Sequence, residues 1–158
     1  MERPAYVPGR HLHPRFWRSE GVQPSDDAWE EGWDLFSRGF YWEAHEAWEQ
    51  LWLALGRTSP RARIVQALIL VAAAAVKVRQ RRGRVSVRLL RRASDKLAPV
   101  DVDALESMGL GEDFRPWLGG LESRVSQGVA EENEQRVRVV FAVVLSRGAV
   151  AGLPVKGM

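Results

Sequence analysis

The chain has no cysteine among its 158 residues. That excludes a disulfide framework, a thiol nucleophile and any cysteine metal site, and it fits a reducing compartment. Long apolar runs are also missing. The longest, Ile64 to Val76, is thirteen residues interrupted by Gln66, whereas a membrane span needs about 20. It reads as a buried core helix, and no membrane association is expected. The N-terminal MERPAYVPGRHLHPRFW has charges and prolines but no apolar centre, so it does not read as a secretory signal. A cytoplasmic protein is expected. There is no internal repeat. The single His on the richest helix lacks the second His of an H-E-x-x-H zinc motif. Histidine is scarce, with only His11, His13 and His45.

What is present suits one domain with its own core. Hydrophobic residues are 46% and charged residues 27%, an ordinary globular balance. Net charge is only +3, but the charges are segregated. From Glu20 to Gly56 there are nine acids and one base, Arg38, or −8. From Arg57 to Lys96 there are twelve bases and one acid, Asp95, or +11. Such segments either face each other, within a chain or across a dimer, or the basic one meets an anionic partner.

The fold expected is all-α, a compact multihelical bundle with an extended N-terminal arm. Residues 1–24 hold four of eight prolines and no helical period, and form the arm. The helical domain is expected over 25–147 and a loose tail over 148–158. The first helix, Asp26 to Arg38, has Ser25 as N-cap, acids in its first turn, and Trp29, Trp33, Phe36 and Phe40 at spacings of four, three and four. Gly39 ends it, and the short link predicts an antiparallel neighbour from Tyr41 to Leu55. The third helix opens on Ser59-Pro60 and runs to about Gln80. It is apolar nearly all round, hence central. A turn at Gly83 leads to the fourth, Arg84 to Leu97, with Pro99 beyond it. Asp101 to Met108 and Asp113 to Gln127 are short helix candidates, and Ala130 to Arg147 is a further one despite its strand-like RVRVVFAVVL.

The second helix carries YWEAHEAWEQLW. On a helical wheel at about 100° per residue, Tyr41, Trp42, Ala44, His45, Trp48, Glu49, Leu51, Trp52, Leu53 and Leu55 fall on one wide arc. Glu43, Glu46, Ala47, Gln50 and Ala54 fall opposite. This places His45 and Glu49 among indoles and turns Glu43 and Glu46 to solvent. A His and Glu one turn apart can hydrogen-bond, ligate a metal or act as an acid–base pair. A satisfied core pair, bonded to Gln66 or an arginine, is the commoner outcome for such residues. A binding pocket or active site is the sharper reading. A metal is the least supported, because one helix supplies only two ligands, and no cofactor is expected. The candidate site is His45, Glu46 and Glu49 with Trp42, Trp52 and Gln66.

The stretch LFSRGFYWEAHEAWEQLW, the following apolar helix and RLLRRASDKLAP resemble the prokaryotic helical family catalogued as domain of unknown function 309. Its G-x-[FY]-[FY]-E-A-H-E-x-W-E-x-x-W core is matched at Gly39, Tyr41, Glu43, Ala44, His45, Glu46, Trp48, Glu49 and Trp52. Gln66 sits where the family's next helix carries Gln, and Tyr6 to Pro14 resembles the arm of longer members. After Pro99 nothing matches. The resemblance implies a compact multihelical fold and adds weight to the His45 block, Glu46 included. It implies no activity.

Three functions follow as expectations. The foremost is a small-molecule binding protein or enzyme with its polar site on residues 41–55. The second is a helical interaction or scaffolding module, suggested by the G-x-Y-x-x-A of Gly39 to Ala44 and forming a homodimer. The third, nucleic-acid binding through residues 84–97, is weaker, because the basic run lacks interleaved aromatics.

Overall fold

The computed structural model describes residues 28–127 together with Phe141, Val143 and Leu145. Six helices follow in order: α1 (Ala28–Ser37), α2 (Tyr41–Ala54), α3 (Pro60–Arg79), α4 (Gly83–Leu97), α5 (Val102–Ser107) and α6 (Phe114–Ser126). There is no strand among the described residues, so the all-α bundle expected from the sequence is the observed class. The arm over 1–24, the Ser25 cap and the tail over 148–158 lie outside the described residues.

The aromatic stripe of α1 becomes core: Trp29, Trp33 and Phe36 are all buried. They meet α2 through edge-on ring contacts, Trp33 to Trp48 at 5.2 Å and Phe36 to Tyr41 at 4.9 Å, the geometry that aromatic quadrupoles favour. The turn between these helices is a Schellman closure. Gly39, at φ 85°, gives its N–H to Phe36 O at 3.0 Å, and Phe40 N–H reaches back to Leu35 O at 2.9 Å.

Helix α3 is the central element. Ser59 Oγ accepts from Ala62 N at 3.1 Å with Pro60 in the first turn. One flank of α3 packs on α2 and another on α4, while α4 in turn packs on α6. Ala72, Ala74 and Ala75 are fully buried, and such short side chains let neighbouring backbones approach. Ser86 on α4 uses that approach, donating to Ala74 O at 2.9 Å in a buried bond.

Two expectations change. The turn between α3 and α4 is made by Arg81, left-handed at φ 59°, while Gly83 is already the first residue of α4. Arg81 N–H to Val78 O and Arg82 N–H to Lys77 O, each 2.9 Å, repeat the Gly39 closure without glycine. The second concerns the helix expected over 130–147. Most of it lies outside the described residues, but Phe141, Val143 and Leu145 are not helical. These three alternate residues pack against the core, and Phe141 N–H donates to the Tyr41 hydroxyl at 2.9 Å. Packing of these side chains on the core outweighed the local helical pattern there. No helix among the described residues is long and apolar enough to cross a membrane.

Candidate functional site

Because α1 and α3 flank α2, they decide which of its sides is core. Tyr41, Ala44, Ala47, Trp48 and Leu51 are the buried residues. The buried arc is therefore rotated from the one expected. Ala47, placed opposite by the wheel, is inside. Glu49 and Leu53, placed on the inner arc, are exposed, whereas Glu43 and Glu46 are half-buried. The expected division into outer Glu43–Glu46 and inner His45–Glu49 is thus corrected. The reason is the indoles. Trp42 and Trp52 count as apolar on a wheel, but an indole is amphipathic and settles at a boundary with its N–H available.

His45 lies on that boundary, its side chain 20% exposed. Its ring is stacked on Trp42, 5.1 Å between centroids and 9° from parallel. Trp42 is itself fixed by its Nε1–H, which donates to Glu46 Oε1 at 3.1 Å. So Trp42, His45 and Glu46, at successive spacings of three and one, form one preorganised unit. His45 Nδ1 is buried and makes no hydrogen bond among the described residues. Glu49 Oε2 is 3.8 Å away on a side chain 52% exposed. That is an ion-pair distance once the imidazole is protonated, but too long for a hydrogen bond.

Burial pushes the His45 pKa below its ordinary 6.5, and Glu49 and then Glu46 pull the other way. Burial dominates, so the ring is neutral at neutral pH. The consequence for stability has a definite sign. A depressed pKa means that the unfolded chain takes up the proton first, so the native state loses stability as pH falls through 6.5 toward the folded value. Urea unfolding from pH 7.5 to 5 is expected to show a steeper loss in the native protein than in His45→Gln. Parallel pH profiles would contradict this.

Trp52, two turns after His45, has a buried Nε1 that likewise makes no hydrogen bond among the described residues. Its ring face is taken by the Arg57 guanidinium at 5.5 Å. The Gly56–Arg57 turn brings that cation in, both residues being left-handed at φ 85° and 67°. Gln66 is half-buried on α3 and makes no hydrogen bond among the described residues, so nothing joins it to His45. The structure unites Trp42, His45, Glu46 and Glu49 along one edge of α2, with Trp52 at its far end, and among the described residues no hydrogen bond ties Gln66 to them. No group of three or more His, Asp or Glu among the described residues is arranged to hold a metal ion.

Two arginines escaped the sequence reading. Arg57 looks like a loop residue; only the adjacent Gly56 hints at its turn. Arg79 is 2% exposed and lies over the Tyr41 ring at 4.5 Å. Its signal was spacing: Ala72, Ala75 and Arg79 continue one face of α3 at steps of three and four. The basic letters around it concealed that.

No curated protein and no solved structure matches the chain. Residues 29–89, which run from α1 into α4 and include the whole α2 site, match the family model described as Domain of unknown function (DUF309).

Proposed function

We propose that the protein binds a small polar molecule on the outer edge of α2, with His45 as its hydrogen-bonding or acid–base group. The observation that carries this is the His45 ring: neutral, clamped flat on Trp42, 20% exposed, with a buried Nδ1 that no group among the described residues satisfies. Buried polar atoms are normally bonded, and an exception asks for an explanation. A molecule that enters at the exposed rim of the ring and opens Nδ1 to contact supplies one. The chemistry is that of a general base. Neutral imidazole takes a proton from the bound molecule, and Glu49 and Glu46 stabilise the imidazolium that results. The Trp52 N–H adds a directed donor at the other end. We infer a cytoplasmic setting from the absence of cysteine.

The test is a thermal-shift screen of small metabolites against the native protein and His45→Ala. Binders are expected to raise the native melting temperature, to shift the His45 ring resonances in NMR, and to lose both effects in His45→Ala. Binders that stabilise both proteins equally would sink the proposal. His45→Ala should keep the native helical circular dichroism, since its ring lies at a boundary.

A further inference from the structure

Segregated charge is not consumed inside the described chain. Arg81, Arg82, Arg84, Arg88 and Arg92 are all exposed and pair with no acid among the described residues, while Arg91 reaches Glu122 at 2.7 Å. Helix α4 and the end of α6 enclose a groove of about 800 Å³. Val87 and Val125 form its apolar part, and Arg84 and Arg88, one turn apart, stand along it. The opposite chemistry occurs on α2. Leu53, 49% exposed, is one of two exposed large hydrophobics among the described residues. Glu49 lies one turn before it and Glu46 two turns before it. An apolar knob flanked by carboxylates is the complement of an apolar groove flanked by guanidinium groups, whose planar forks suit carboxylates.

We propose that the α2 outer face of one copy of this chain docks into the α4–α6 groove of a second copy. Two such contacts, exchanged reciprocally, close a two-fold dimer. Charge sets the orientation, and Leu53 against Val87 and Val125 supplies the apolar centre. The contact also brings Arg84 and Arg88 of the partner subunit to Glu49, at the border of the His45 site, so that each site is completed across the interface. The inference stands apart from the ligand reading: a monomer that binds a metabolite through His45 would remove the dimer and leave that reading intact.

Sedimentation velocity on the full chain tests it. A dimer is expected at about 50 mM salt, shifting toward monomer at about 500 mM, where charge is screened within a few ångströms. Leu53→Asp and Arg88→Glu, both exposed positions, are each expected to weaken dimerisation at least about tenfold. Val102→Asp, at the other exposed large hydrophobic (58%) on α5, should leave it unchanged. Combining Glu49→Arg with Arg88→Glu should recover part of the loss. A monomer at every salt concentration overturns the proposal. So does a dimer indifferent to both single substitutions, or a groove that takes an acidic peptide while the chain itself stays monomeric.

Discussion

Gly32→Ala is expected to destabilise the protein by about 3 kcal/mol, the upper part of the range for overpacking a filled core. On an exposed helix the same change would stabilise by up to about 1 kcal/mol, since alanine is the better helix former. Here the added methyl carbon would lie 2.1 Å from Trp48 Nε1, with two further indole atoms at 2.4 and 2.5 Å. One of the two must move, and neither has room. Trp48 is fully buried, held edge-on against Trp33 at 5.2 Å and packed beside Phe36 at 5.7 Å. Its N–H is committed to Trp29 O at 3.3 Å. Moving the ring would disturb the α1–α2 contact on which the position of the His45 edge depends. Equilibrium urea unfolding measures the effect, and near-ultraviolet circular dichroism should report the displaced indole. Gly32→Ala combined with Trp48→Phe should cost less than the sum of the two single changes, because the smaller ring vacates the contested space. A Gly32→Ala protein as stable as the native one would refute this account of the α1–α2 interface.

The Arg79→Ala protein should lose about 3 kcal/mol as well, by a different route. The guanidinium is 2% exposed and stacked over Tyr41 at 4.5 Å. A desolvated cation over an aromatic ring contributes about 2 kcal/mol. Its position in the last turn of α3 also complements the negative end of the helix dipole. Truncation removes these terms and leaves unfilled volume beside the ring. Arg79→Met separates them. It keeps much of the volume and loses the charge, so it should cost roughly half as much if packing and charge contribute comparably. Arg79→Lys should fall near Arg79→Met, because an ammonium cannot stack as a plane. Thermal or urea unfolding of the three variants orders them. A loss below about 1 kcal/mol for Arg79→Ala, little more than an ordinary hydrogen bond, would mean that the stacked contact contributes little.

Much of the scaffold was legible from local chemistry. Ser59-Pro60 opens α3 as a cap and first-turn proline should, and Trp29, Trp33 and Phe36 predict the buried side of α1. These signals act within one or two turns, so they can be read without knowing the distant partners. The closure at Arg81 was missed because glycine is the usual left-handed residue, and Gly83 stood two positions away. The non-helical Phe141 was missed because its partner, the Tyr41 hydroxyl, is a hundred residues distant in sequence.

The α2 edge divides in the same way. By itself the sequence determined that residues 41–54 are helical, and that Trp42, His45, Glu46 and Glu49 share neighbouring turns. It also determined the charge separation along the chain. Which carboxylates are half-buried and which is exposed was decided only by tertiary structure. A helix with aromatic side chains around much of its circumference does not declare its own inner face. The packing of α1 and α3 against α2 selected Ala44, Ala47 and Trp48 as core and left His45 at the rim, stacked on Trp42 with its Nδ1 unbonded among the described residues.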